Sequence, residues 1–385
     1  MNRIYLDNAA TTSLSPEVLE AMLPALRENW GNPSSIHKEG RTARRAVEEA
    51  RKQVAALLNA DFRQIFFTGG GSESDNWALK GVAFARQKQG RHIITSAIEH
   101  HAILHTCDWL EKQGFEVTRL PVTEEGFVTP ESLGKAIRED TTLVSVMLAN
   151  NEIGTLQPIR QLADIAHAHG ALMHTDAVQA VGAIPVDVNA LDVDLLSLSG
   201  HKLHGPKGIG ALYLRKGLRL DNLIHGGAQE RGFRAGTENV PGIVGLGKAC
   251  ELAMASLETA GPRIAALRDR LTEGLLRALP GVRVNGSMER RLPNNCNLAF
   301  AGVEGEALLL RLDLAGIAAS SGSACTSGSL DPSHVLTAIG LSPEMTNASL
   351  RMTLGTDTTE AEIDTVLRVL PDIVRNLREL TGWKG

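Results

Sequence analysis

The sequence predicts an α/β protein with a large domain on a mostly parallel sheet, residues 15–260, and a smaller α+β domain made of residues 1–14 and 261–385. Three observations predict it. From about residue 60 to about residue 215, short apolar runs alternate with amphipathic stretches of helical period, the pattern of parallel strands covered on both faces. Residues with chemical potential fall just past the ends of those runs, where open α/β sheets bind ligands. Ala260-Gly261-Pro262 then breaks a long helix that begins near Pro241, and strands and helices mix beyond it.

Composition narrows the function classes. A chain of 385 residues that is 43% hydrophobic can bury a large core. Its formal net charge of -5, without a long basic run, gives no case for nucleic acid or an anionic membrane as partner. The N-terminus has no charged region followed by an apolar one, and no apolar run approaches the length that spans a bilayer, so a cytoplasmic location is expected. Cys107, Cys250, Cys296 and Cys325 are widely spaced without a C-x-x-C, which predicts neither a disulfide framework nor a zinc knuckle.

Taken in order, Tyr5 to Thr12 is a short extended segment, and Ser15-Pro16-Glu17 starts a helix that runs to about Leu26. A loop, Asn29 to Ser35, leads to an amphipathic helix from His37 to Leu58. Ile65-Phe66-Phe67-Thr68 is a strand, Gly69-Gly70-Gly71 a turn, and Ser72-Glu73-Ser74-Asp75-Asn76 opens a helix. Strand, glycine turn and helix N-terminus can cradle an anion, although taken alone this motif is a weak signal that favours a plain glycine-rich corner. The strand His92–Ser96 leads to His100 and His101. No H-E-x-x-H or similar spacing supplies a third ligand, so no metal is expected and a stacking or acid/base role is favoured for His100. A strand over Leu143–Leu148 ends in the polar loop Asn150-Asn151-Glu152, and the strand Ala171–Asp176 ends in a carboxylate. Asp176 could serve a ligand, cap the helix from Val178 onward, or do both.

Lys202 sits in the polar turn Ser199-Gly200-His201-Lys202 between apolar runs ending at Leu198 and starting at Ile209. An ammonium near a core must be paired, deprotonated or covalently used, and a lysine of depressed pKa forms Schiff bases with carbonyls such as that of pyridoxal phosphate. A solvated turn lysine is the alternative. Beyond the glycine-rich loop Gly226–Asn239 and the long helix lies Ser321 to Pro332, small and polar. Such a run cannot pack a core, so Cys325 is expected to be exposed and either chemically available or an inert loop thiol.

These motifs together resemble the NifS/IscS group of cysteine desulfurases, in the class V aminotransferase family. The match includes Tyr5 to Thr12, Gly31 to Ser35, Ser72 to Asn76, Asn150 to Gly154, His174 to Gly182, the Lys202 turn, Arg234 to Asn239 and Ser321 to Gly328, and so covers nearly the whole chain. The wording at His174-Thr175-Asp176 and Gly236-Thr237-Glu238-Asn239 is closer to the NifS branch.

The resemblance implies a PLP-dependent transferase fold of type I, pyridoxal 5'-phosphate as cofactor and L-cysteine as substrate. It implies that Lys202 bears the cofactor, Asp176 pairs with its ring nitrogen, His100 stacks on the ring and shuttles protons, and Asn151 and Gln179 hold ring substituents. Gly71, Ser72, Ser199 and His201, with Thr237 from a second copy in a homodimer, would meet the phosphate. Arg351 would grip the substrate carboxylate, with Asn151 beside it, and Cys325 would be the nucleophile that becomes a persulfide. A scaffold protein for Fe–S cluster assembly, nitrogenase clusters included, is the implied sulfur acceptor, and a transient Fe–S species at Cys325 is a further implied contact. A selenocysteine lyase and a catalytically idle scaffold are the alternatives on the same fold. Two departures stand out: Gly70-Gly71-Ser72 replaces a small residue and Thr, and the chain stops at Gly385, short of a tail that in relatives can dock scaffolds.

Overall fold

The computed structural model describes residues 3–321 and 332–383. Its strands are β1 (Ile4–Tyr5), β2 (Ile65–Thr68), β3 (His92–Ser96), β4 (Glu116–Leu120), β5 (Thr141–Ser145), β6 (Leu172–Asp176), β7 (Leu195–Ser199), β8 (Gly210–Leu214), β9 (Val282–Val284), β10 (Asn295–Phe300), β11 (Ile317–Ala318) and β12 (Ser349–Thr353). Seven of them form one sheet in the order β2-β8-β7-β6-β5-β3-β4. All pairings in it are parallel except those of β8, which runs antiparallel to both neighbours. Strands β2, β3, β5, β6, β7 and β8 are buried along their whole length, which is why they read as apolar runs rather than as an alternation. Helices cover both faces. Apolar residues such as Val47, Val54, Val144 and Leu196 form the core on one side, and Trp77, Leu79, Ile93 and Leu143 form the core on the other.

The reversal of β8 matters for the site. Because β7 and β8 are antiparallel neighbours, the turn between them returns at the C-terminal end of β7. Lys202 closes the single 3-10 turn Gly200–Lys202 there. Strands β3, β5 and β6 end at the same edge.

A second apolar cluster gathers Leu6, Leu271, Leu298, Phe300, Leu350 and Val374 around the antiparallel sheet β12-β10-β9 and the parallel pair β1-β11. One helix, Val240–Ala278, supplies both clusters, with Ile243 and Leu246 in the first and Leu267 and Leu271 in the second. The expected break at Ala260-Gly261-Pro262 is therefore corrected. Pro262 and Glu258, whose carbonyl loses its N–H donor to the ring, are both exposed, so water satisfies the orphan and the helix continues. A second correction concerns apolar length, since by length and composition this helix could cross a bilayer. Its apolar face instead packs on the helices Pro16–Arg27 and Lys38–Leu57.

Candidate active site

A cavity of about 230 Å³ opens where the strand ends meet. Gly71, Ser72, His100, Asn151 and Asp176 line it, as do Gln179, Ser199, His201, Lys202 and Arg351. Ten predicted positions, spread along the chain from Gly71 to Arg351, thus share one small space. A larger cleft of about 590 Å³ lies on the far side of Lys202, but the ionisable groups singled out in the sequence converge on the smaller cavity.

Each group is held by its local structure. The Lys202 ammonium donates to the carbonyls of Ala9 and, at 2.8 Å, Ala10, so the N-terminal segment forms one wall. Gln179 Nε2 donates to the Ala9 carbonyl at 3.0 Å. His100 caps the helix His101–Lys112 by accepting the Ala102 N–H on Nδ1 at 3.1 Å, which leaves its proton on Nε2. Burial, and then the Lys202 charge, push the imidazole down to about 4. His100 therefore stays neutral and holds its proton at Nε2, which confines the proton shuttling implied for it to that atom.

Asp176 ends β6, and its Oδ1 accepts the Val178 N–H at 2.8 Å. The expected helix from Val178 onward is corrected, because residues 178–180 form a turn and the carboxylate closes that turn rather than capping a helix. Burial raises this carboxyl to about 6, opposed by that hydrogen bond and by Lys202. His201 leans on Thr11 Oγ1 through Nδ1 at 3.2 Å, and burial lowers it to about 4, so it too is neutral. Asn150 fixes the next loop: its Oδ1 accepts the Glu152 and Ile153 N–H groups, which leaves Asn151 facing the cavity.

Arg351 comes from β12 and is 2% exposed. It donates to Asp7 Oδ1 at 3.0 Å and to the Asn151 carbonyl at 3.1 Å, while its Nε has no hydrogen-bond partner among the described residues. Beside it the helix Gly71–Arg86 begins at the cavity edge. A Cβ on Gly71 would stand 2.8 Å from the Val178 side chain, so only glycine leaves the helix N-terminus open to a ligand. A second, more open hollow is shared by Gly70, Gly71, Ser72, Ser199, His201 and Lys207.

The residues present fit pyridoxal phosphate. The glycine-lined helix N-terminus suits a phosphate, a buried carboxylate suits a protonated ring nitrogen, and a lysine amine suits the aldehyde. Thr237 does not line this cavity; it is exposed on its loop, which Arg234 ties to Glu73 at 2.9 Å. Cys325 lies outside the described residues. The other three cysteines are buried, and burial raises Cys107 and Cys250 to about 12, the behaviour of inert thiols.

Sequence reasoning missed three acids. Asp7 pairs with Arg351 across 344 positions, which no local pattern announces. Glu152 is buried beside the strand ends, raised to about 7 by burial, and accepts the Ser333 hydroxyl at 2.6 Å. Asp75 also lines the cavity. A signal for it existed: Asp75, Ala78, Leu79 and Val82 form one buried stripe of helical period, and a carboxyl within such a stripe is out of place unless used.

Comparison with known proteins agrees with this geometry. The chain matches the aminotransferase class-V family over residues 4–366. It is 58% identical over 378 residues to a cysteine desulfurase IscS of Methanosarcina thermophila, covering 98% of this chain and 93% of that relative. It is 55% identical over 384 residues to a cysteine desulfurase IscS of Clostridium botulinum, covering 99% and 97%. Among solved structures, a NifS-like protein superposes with a TM-score of 0.92 at 41% identity, covering 97% of this chain and all of that one. The structure titled SspA in complex with cysteine gives 0.81 at 39% identity, covering 92% and 100%. The chain belongs to the class V aminotransferase family, within its NifS/IscS group of pyridoxal-phosphate-dependent cysteine desulfurases.

Proposed function

We propose that this protein takes sulfur from L-cysteine, releases L-alanine and passes a persulfide to an acceptor thiol for Fe–S cluster assembly. The observation that carries the reading is the single cavity in which Lys202, Asp176, His100 and Arg351 meet the glycine-lined helix start. Gly71, Ser72, Ser199 and His201 would hold the cofactor phosphate, and Asp176 its ring nitrogen. Bound there, the cofactor supplies an electron sink for charge developing at the substrate α-carbon.

The chain's own groups do the rest. Arg351, which lines the cavity, meets the substrate carboxylate in a charge-assisted contact that also orients the α-carbon toward Lys202. Lys202 removes and returns the α-proton as an amine. His100, neutral with its proton on Nε2, donates to the reacting groups without carrying charge into the cavity. The Cys325 thiolate forms an S–S bond to the substrate sulfur as the substrate Cβ–S bond breaks. The electron pair left on carbon takes up a proton, and alanine departs.

The working unit is a homodimer in this reading, with Thr237 reaching the partner's phosphate cradle from its exposed loop. The large domain comprises residues 15–260 and the small domain residues 1–14 and 261–385, the separate apolar clusters supporting that division. A cytoplasmic location and a scaffold acceptor complete it. The relatives' name IscS favours general Fe–S assembly over a role confined to nitrogen fixation.

Incubation of purified protein with L-cysteine tests this. Wild type is expected to form alanine and sulfide, whereas Cys325→Ala binds the cofactor yet forms almost no alanine and carries no persulfide. Alanine production by Cys325→Ala at the wild-type rate would remove Cys325 as nucleophile and bring the selenocysteine lyase reading forward.

A further inference from the structure

Beneath Asp176 lies a row of polar groups that the desulfuration chemistry does not use. Asp75 is 1% exposed and lines the same cavity as Asp176. One of its oxygens, Oδ1, is buried without a hydrogen-bond partner among the described residues. The Ser197 hydroxyl bonds to the Asp75 carboxyl, and Ser197 Oγ is 3.0 Å from His174 Nε2. His174 Nδ1 is in turn 2.8 Å from Ser145 Oγ, and His174 Nε2 stands 3.8 Å from Asp75 Oδ1. His174 and Ser197 are fully buried.

The charges that face Asp75 are of its own sign. Asp176 comes from β6 and Glu99 from the turn after β3, and both act on it. His174, the imidazole nearest to it, has both ring nitrogens tied to serine hydroxyls, and burial holds it neutral at about 3. Lys202 acts on Asp176. An ionised carboxylate buried beside two more acids is costly, and a proton on it removes the charge.

We propose that Asp75 is a positioning residue that works as a neutral acid: with Ser197 and His174 it forms an uncharged hydrogen-bonded row under Asp176, leaving Asp176 as the carboxylate presented to the cofactor ring nitrogen. The row orders Asp176 without competing for the ring proton. This rests on the proposed seating of the ring nitrogen on Asp176.

Two measurements on holoprotein and apoprotein test it. Infrared difference spectra at pH 7 should show the carbonyl stretch of a protonated carboxylic acid that disappears in Asp75→Asn; a spectrum in which only a carboxylate band disappears overturns the proposal. In binding to apoprotein, Asp75→Ala should lose about tenfold in affinity for pyridoxal phosphate, the scale of one buried hydrogen bond. Its affinity for the deaza analogue, with carbon in place of the ring nitrogen, should stay within about twofold. Asp75→Asn, which keeps a neutral donor, should hold pyridoxal phosphate within about threefold of wild type. Equal losses for the two ligands would mark a merely structural role, and Asp75→Asn as weak as Asp75→Ala would mark a needed negative charge; either overturns the proposal. Wild-type apoprotein that binds both ligands alike overturns the seating on Asp176 itself, and this inference with it.

Discussion

Two buried arginines in this molecule are built to different ends. Arg51 reaches Glu230 with both terminal nitrogens, at 2.8 and 2.9 Å, and also donates to the Ile65 carbonyl and to Glu48. Glu230 accepts the Phe67 N–H as well, and the guanidinium lies over the Phe67 ring. Arg351 is as deeply buried, yet among the described residues its side chain donates to Asp7 and to one carbonyl, and its Nε finds no partner. The first pair is closed on itself and fixes the helix Lys38–Leu57 to β2. The second lines the cavity and, among the described residues, uses fewer of its donors. Burial and charge are alike in the two, so what separates Arg51 from Arg351, the residue we propose to bind substrate, is how completely the donors are used among the described residues.

The comparison breaks or sharpens with mutation. Arg351→Ala should cost the most, lowering kcat/KM for L-cysteine by about a hundredfold to a thousandfold, the range for removing a buried charged contact. Its melting temperature should move little, because Asp7 is half-buried and can reach water. Steady-state kinetics beside a thermal melt would check this, and a large melting shift with unchanged KM would put Arg351 in the same class as Arg51.

Arg51→Met should do the reverse. With Glu230 left buried and unpaired, unfolding free energy in urea should fall by about 3–5 kcal/mol, with KM for the folded fraction unchanged. Adding Glu230→Leu should restore most of the loss, since an apolar pair of similar volume is tolerated where half an ion pair is not. Failure of the double variant to recover would mean that the Phe67 and Ile65 backbone contacts matter more than the charges.

The smallest effect concerns a buried acid with no arginine beside it. Glu99 is fully buried and raised to about 8 by burial, against hydrogen bonds from Ser96 and the Met147 N–H. It is therefore protonated in the fold where the unfolded chain is ionised, and the stability this contributes is lost as pH rises through that window. The difference in melting temperature between Glu99→Gln and wild type should shift in favour of the variant from pH 5 to pH 8 and then level off. A difference that stays flat with pH would place Glu99 in its ionised form throughout. His100, His174 and His201 act in the opposite sense at lower pH, being held neutral, and they cancel when variant and wild type are compared.

Legibility in the sequence divides along the same line. Residues that act at the end of a strand or the start of a helix, such as Asp176, Ser199, Lys202 and Gly71, could be found because local pattern marks those positions. Arg351 needed the family resemblance, whereas Cys325 stood out by its small, polar surroundings and the resemblance supplied only its role. Arg51–Glu230 and Arg351–Asp7 were invisible because each joins positions far apart in the chain, 179 and 344 residues, and only folding brings them together. Proline misled for a related reason: whether Pro262 ends a helix depends on whether the carbonyl it strands can find water, and that is a property of the surface.

The helix Val240–Ala278, about 58 Å long at 1.5 Å per residue, is a structural member common to both apolar clusters. Neither cluster can melt without stripping partners from a rod on which the other depends. The two halves of the chain are therefore joined in their cooperativity: heat or denaturant is expected to meet one transition, and a fragment cut at either end of the rod would carry a bare row of leucines into water.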